Sequence, residues 1–440
     1  MAAPNKTSKL FTSRLPLELI LEIFSYLPTK SLKRLRYVFD NEFPSFSKSL
    51  ETYSFQHKHA ANVSTNPTSV KFLIKAEYPH YIIHEIDSYP FKPPSITHSY
   101  NYEQLFKNII IPCDSEKSYG GEVIGGCNGL ICLFFEIQVE LKKRDDVMCP
   151  CCIPRETFHH LKLWNPCTGE HHAIPTPQGF RFELFNDDMF SDDVSITLFG
   201  FGYDFVNKTY KLVIGQGAIT QFYDWSTDAW KIVETIDINW DKFCIFMSSV
   251  NSLWQSQPQS GYYFNGALHW IVSSTSIVSI DLSTEVSNFI NMPHCCSSKE
   301  DQHGSNMGVV KGCLSVSCHR FLDKKVSIWV MKEYGREESW TNILNITLSE
   351  SDITYGSPDL MVIRPPLWVS QDNEMLFLIQ GKLAYWNAKA QEFNYVKGLQ
   401  LFDSQFRGIV HFDTLVSPNP EVYRLGGGES SGNVKVLVSK

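Results

Sequence analysis

The chain has 440 residues, 43% apolar and 20% charged, with a formal net charge of −8. That composition excludes a disordered chain. The length exceeds one ordinary compact core but fits a closed repeat array, or a small domain joined to a large one. The acidic balance argues against a general nucleic-acid binder, which needs a clustered basic face.

The first thirteen residues, "MAAPNKTSKLFTS", are polar and short and are expected to be disordered. They lack the apolar h-region of a secretory leader, and no apolar run approaches the roughly 18–20 residues of a membrane span. The expected location is therefore the cytoplasm and/or nucleus, with neither membrane nor nucleic acid among the partners. The 12 Cys are then mostly reduced. The Asn-X-Ser/Thr triplets at Asn5, Asn62, Asn207 and Asn345 stay unglycosylated. Charge divides unevenly. Residues 1–58 hold nine Lys/Arg and five Asp/Glu, a balance of +4, while the remainder carries −12.

Residues 14–58 form a small head. In "RLPLELILEIFSYLPTKSLKRLRYV", Pro16 suits the first turn of a helix. Leu19, Ile20, Ile23, Phe24 and Leu27 recur at helical spacing. Pro28 stops that helix, and Thr29 is expected to cap the next, which carries Leu32, Leu35 and Val38. Two short helices cannot enclose so much apolar surface. The head either docks on the rest of the chain or meets a partner.

The two Leu-Pro pairs and the following "TKSLKRLRYV" resemble an F-box, the motif by which substrate receptors bind the Skp adaptor of a cullin-type ubiquitin ligase. The resemblance implies an adaptor face, with its support, at Leu15, Pro16, Leu19, Ile20, Ile23, Leu27, Pro28, Leu32, Leu35 and Val38. Lys30, Lys33, Arg34 and Arg36 would steer towards an acidic adaptor. Downstream the pattern departs. Many plant F-boxes continue with a Cys/Ser-Lys-Ser-Trp element, but here Glu42 stands near the Trp position, with Phe43 beside it as a substitute if the register shifts by one. The stretch 39–55 thus leaves the third helix open.

Residues 69–418 read as strands, with Gly and Pro punctuating short apolar runs. "LKLWNPCTGEHHAIP", "TQFYDWSTDAWKIVETI", "VSIDLSTEVSNFINMP", "VSIWVMKEYGREESWTNI" and "LAYWNAKAQEFNYVKGL" share one plan: strand, polar turn, strand. Their turns, near Asn165, Trp225, Asp281, Glu333 and Asn387, are 52 to 60 residues apart. "CNGLICLFF", "YFNGALHWIV" and "KGCLSVSCH" place Gly before an alternating strand. A repeat near fifty of period-2 strands and tight turns predicts β-propeller blades. Six are favoured, at 70–90, 126–176, 198–236, 262–293, 310–346 and 370–400, with seven or an open sandwich as alternatives. A strand in 406–418 would seal the ring. The Gly-rich stretch 426–440 is expected to be a flexible tail.

"NGLICL", "LWNPCTGE", "FGYDFVNKTYKLV", "FYDWSTDAWKIV", "IDLSTE" and "DTLVSP" also fall in the order of the plant F-box-associated interaction domain. The whole resembles a plant F-box group that includes S-locus F-box proteins of self-incompatibility. The expected fold class is thus a small all-α F-box followed by an all-β propeller-like domain. The resemblance implies a non-catalytic substrate-recognition subunit of a Skp-cullin-F-box ligase, with the adaptor, a cullin behind it and an unknown target protein as partners. The alternative is a binding propeller with a degenerate F-box.

One cluster invites chemistry. "VMCPCCIPRETFHH" brings Cys149, Cys151 and Cys152 close to His159 and His160. Zinc thiolate pairs usually stand two to four residues apart, and adjacent histidines on a strand face opposite ways. The stretch reads as an insertion within one blade and a candidate target-binding loop, with metal or a reactive thiol as the competing readings. No hydrolase elbow, phosphate-cradling loop or zincin motif occurs. No catalytic residue, metal or cofactor is expected. His269 in "ALHW" reads as a packed strand histidine, and the Trp residues at 164, 225, 230, 270, 329, 340 and 386 as core.

Overall fold

A computed structural model of the chain describes residues 15–42, 44–64, 70–75, 82–87, 106–110, 118–140, 155–177, 197–216, 219–233, 259–294, 303–320, 324–348, 363–369, 373–379, 382–395 and 409–426. Both expected disordered ends fall outside these, except Gly426.

Among the described residues the head holds four helices: α1 (Leu17–Phe24), α2 (Thr29–Glu42), α3 (Pro44–Leu50) and α4 (Tyr53–Ser64). Helices cover the described part of the irregular stretch 39–55 except for a turn at Glu51 and Thr52, and α4 continues to Ser64, past residue 58. Phe46 packs edge to face on both Phe24 and Phe39, with ring centroids 5.4 and 4.7 Å apart, while Phe24 and Phe39 stack at 6.2 Å. The Phe43 side chain lies outside the described residues.

Among the described residues the body contains six sheets. The first joins β1 (Val70–Lys75), β2 (Ile82–Asp87) and β3 (Phe106–Ile110) to the last strand of the chain, β25 (Ile409–Phe412), which pairs antiparallel with β1. The second is β4 (Ser118–Cys127), β5 (Leu130–Glu140), β6 (Arg155–Trp164) and β7 (His171–Ile174). The third is β8 (Thr197–Asp204), β9 (Thr209–Gln216), β10 (Ile219–Asp224) and β11 (Ala229–Val233), with β12 (Gln259–Ser260) added parallel to β8. The fourth is β13 (Tyr262–Phe264), β14 (Ala267–Ile271), β15 (Ser276–Asp281) and β16 (Ser287–Asn291). The fifth is β17 (His303–Val310), β18 (Cys313–Arg320), β19 (Lys325–Met331) and β20 (Trp340–Thr347). The sixth is β21 (Trp368–Val369), β22 (Met375–Ile379), β23 (Lys382–Asn387) and β24 (Glu392–Tyr395). A short helix, α5 (Pro420–Gly426), stands where the sequence reading began a tail.

The sheets share an axis. Ile124 of β4, Phe201 of β8, Tyr263 of β13, Met307 of β17, Pro365 ahead of β21 and Ile409 of β25 line one cavity of about 210 Å³. Inner strands converge there, so small residues are needed. A Cβ on Gly202 would lie 2.3 Å from the Tyr263 ring and 2.8 Å from Leu282 of the next sheet. The "Gly before a strand" signal turns out to be the hairpin between first and second strands. Asn128–Gly129, Asn265–Gly266 and Lys311–Gly312 all have positive φ, as a type I′ turn requires. The sequence reading missed the inner strands β4 and β17 ahead of those turns.

Asn165, Asp204, Asp224, Asp281 and Asn387 each open a five-residue turn. In each, the side-chain oxygen accepts backbone N–H groups two or three residues on, for example Ser283 and Thr284 onto Asp281 at 2.9 and 2.8 Å. Inner and middle strands such as β8 and β18 are buried on both faces, while the outer strands β11 and β16 are largely exposed. Trp164, Trp225, Trp270 and Trp386 are buried as expected, while Trp230, Trp329 and Trp340 are half-buried.

Candidate functional site

The helices of the head have two unlike faces. Inward, Leu32, Leu50 and Phe55 pack with Leu415, flanked by Leu21, Phe24, Leu27 and Phe46. Ala60 of α4 reaches the core of the second and third sheets. Polar ties reinforce this seam. Thr29 Oγ1 donates to the Asp413 carbonyl, so this residue ties the head to the body, and it is the first residue of α2 rather than the cap before it. The Ser417 N–H donates to Gln56 Oε1 at 3.1 Å, the Tyr53 and Tyr203 hydroxyls meet, and His57 stacks on Tyr203 at 4.8 Å. Burial holds His57 at about 4, hence neutral at physiological pH. The motif "DTLVSP" threads between head and propeller.

Outward, α1 has no buried residue, although six of the eight residues in "LELILEIF" are apolar. Leu19 is 50% and Ile23 54% exposed. Leu15 and Val38 are also exposed, as are Pro16 and Pro28. Ile20, Leu27 and Leu35 are half-buried, forming the shoulder of the face. Leu32, fully buried, supports it from below. Sequence spacing missed Leu17, Tyr26 and Tyr37, which are exposed on the same helices or the turn between them. For Leu17 the signal was present: a helix apolar on six of eight positions cannot bury every side against one neighbour. Of the four basic residues, Lys33 donates to the Cys167 carbonyl and Arg36 pairs with Glu51. Lys30 and Arg34 are exposed.

The second candidate region gives a different picture. Cys149, Cys151 and Cys152 lie outside the described residues. His159 is half-buried on β6 and stacks with Phe134 at 5.4 Å, and His160 beside it is exposed. Burial lowers His159 to about 4, with the neighbouring His160 adding to the shift. Among the described residues no group of three or more His, Cys, Asp or Glu stands ready for a metal. His269 is fully buried; its Nδ1 meets the Tyr262 carbonyl at 3.1 Å and its Nε2 the Tyr334 hydroxyl at 2.7 Å. It is a packed strand histidine.

Residues 148–406 match the family model of the F-box associated beta propeller domain, and residues 12–39 match that of the F-box domain. The chain belongs to the F-box-associated β-propeller family. It is 28% identical over 412 residues to the F-box/kelch-repeat protein At3g23880 of Arabidopsis thaliana, covering 92% of this chain and 96% of that one. It is 22% identical over 252 residues to the F-box protein CPR1 of Arabidopsis thaliana, covering 51% of this chain and 56% of that one. Among solved structures, the periplasmic gluconolactonase PpgL of Pseudomonas aeruginosa aligns with a TM-score of 0.34 and 10% identity over 74% of this chain and 82% of that one. The F-box domain implies binding of a Skp-type adaptor.

Proposed function

We propose that the chain is the substrate-recognition subunit of a Skp-cullin-F-box E3 ubiquitin ligase. The F-box takes a Skp-type adaptor and, through it, a cullin. The propeller takes a target protein, which is then ubiquitinated and degraded by the proteasome. The subunit makes no bonds itself. It raises the effective concentration of target lysines near the charged conjugating enzyme. It acts in the cytoplasm and/or nucleus.

The observation that carries this reading is α1, apolar on six of eight positions and buried at none. Such a face beside a propeller-bound inner face is arranged for a second protein. Topology supports the division of labour. The hairpins ending at Asn128 and Asn165 touch the F-box side, through Thr414 and Lys33. Glu140 and Arg155, which flank the insertion 141–154, pair with each other at the opposite end of the same sheet. A target held at that end stands away from the adaptor.

Co-purification with a Skp-type adaptor tests the reading. Wild-type chain is expected to form a stable complex that supports ubiquitin transfer with cullin and conjugating enzyme. Leu15→Ala/Pro16→Ala is expected to lose it. Absence of a wild-type complex would sink the ligase reading in favour of a propeller uncoupled from it.

A further inference from the structure

The inner turn of the third sheet breaks two rules of its own protein. Inner hairpins of the second, fourth and fifth sheets close in two residues, Asn128–Gly129, Asn265–Gly266 and Lys311–Gly312. The third sheet instead spends four, Phe205 to Lys208, opened by Asp204 in the turn type used elsewhere between third and fourth strands. In two of those outer turns the second residue points into the core: Trp225 and Leu282 are fully buried. The third is Cys167, Ser226, Ser283 or Lys389. Here the same two positions are Phe205, 63% exposed, and Val206, 74% exposed.

The exposed ring is held in place. Phe205 packs edge to face on Tyr203 at 5.1 Å, and it borders Gly266, whose Cβ position lies 3.8 Å from Phe205 Cδ2. A ring fixed before binding loses little freedom on contact, which is what an interface anchor needs. Its position points to a partner. The Tyr203 hydroxyl meets that of Tyr53, at the start of α4. Glu51, two residues before Tyr53, pairs with Arg36 of α2. Arg36 adjoins the exposed Tyr37 and Val38. This chain of contacts ties α2, through the seam at Tyr53 and Tyr203, to the base of the Phe205 turn, which lies at the end of the third sheet that meets the F-box.

We propose that Phe205 and Val206 form a second contact for the Skp-type adaptor seated on the F-box. This rests on the ligase reading above. The adaptor then touches helices and propeller together, and the third sheet helps fix the angle between adaptor and target.

The test uses the full chain and a purified plant Skp-type adaptor, with affinity read by calorimetry and size by sedimentation. Phe205→Ser/Val206→Ser is expected to weaken binding about ten-fold, the effect of about 1.4 kcal/mol, without lowering the melting temperature. Ile232→Ser, equally exposed on the outer strand of the same sheet, is expected to bind as wild type. Unchanged affinity in the double variant overturns the proposal while leaving the ligase reading intact. Loss of self-association in that variant, with adaptor affinity unchanged, also overturns it and assigns the surface to a second copy. A wild-type chain that does not bind adaptor defeats both.

Discussion

Asn165 Nδ2 donates to the carbonyl oxygens of Thr414 and Val416 at 3.1 and 2.7 Å, joining the second sheet to the segment after the last strand. Its Oδ1 accepts the N–H groups of Cys167 and Thr168 at 2.8 and 3.2 Å. The side chain is fully buried, and each of its polar atoms is used twice. One amide therefore shapes a blade turn and also fastens the strip on which the F-box sits.

Replacing that amide separates the roles. Asn165→Asp keeps the acceptor but turns the donor into an oxygen facing two carbonyls. The expected cost is about 3 kcal/mol or more in urea unfolding. Asn165→Ala leaves buried carbonyls and N–H groups without it and is expected to cost about 2–3 kcal/mol. A loss under about 1 kcal/mol for the aspartate variant would show that the strip is held elsewhere.

Lys211 makes a comparable pin between the third and fourth sheets. Buried, it donates to the Leu282 carbonyl at 2.6 Å and contacts Asp204 and Glu285, each at 3.1 Å. Burial opposes its charge, but the two carboxylates outweigh burial and raise its pKa. Lys211→Met strands the Asp204 carboxylate, which is fully buried. The expected loss is about 3–5 kcal/mol by denaturant unfolding. Lys211→Met/Asp204→Asn is expected to recover part of it, and its absence would mean that the pair does not act as a unit.

Gly202 tests the close packing of the third sheet on the fourth. Gly202→Ala forces Tyr263 and Leu282 aside and is expected to cost about 1–3 kcal/mol by overpacking. Gly169, with nothing within 4 Å of its Cβ position but φ at +81°, serves as a comparison. Gly169→Ala is expected to cost about 1 kcal/mol, from backbone conformation alone. Equal costs would contradict the crowding argument.

Acid should loosen the molecule early. Burial pushes His269 and His411 down to about 4, the latter against Asp413 and with Lys71. Folded, they stay neutral; unfolded, they take protons near 6.5. The unfolded state binds more protons between about pH 4 and 6.5, so stability falls as pH drops through that window, by up to about 1.4 kcal/mol per pH unit for each. Unfolding free energies at pH 7.5, 6.5 and 5.5 should show little change over the first step and a fall over the second. His269→Gln should lessen the second step in part, since His57, His159 and His411 remain, and an unaltered slope would remove His269 as a cause.

Much of this was legible in the sequence. The Leu-Pro pairs marked the ends of α1, and Asn165, Asp281 and Asn387 announced their turns because an Asx side chain satisfies its own backbone. The inner strands were not legible. "SYGGEVIGGC" and "HGSNMGVV" are glycine-rich because strands crowd at the axis, and glycine reads as a breaker in a sequence. The roles of Thr29, Gln56 and Lys211 were hidden for another reason. Their partners, Asp413, Ser417 and Glu285, are 384, 361 and 74 residues away. Periodicity separated apolar from polar positions on α1, but not the inward Leu21 and Phe24 from the outward Leu19 and Ile23.

The central claim is that the outward face of α1 binds an adaptor while the inward face holds the propeller. Adaptor affinity of Leu19→Asp/Ile23→Asp, with its melting temperature, tests this most directly. Both residues are about half exposed. The account predicts a chain that melts as wild type does and has lost about a hundred-fold or more in affinity, the scale of a buried hot spot. A double variant that binds the adaptor as tightly as wild type would contradict it.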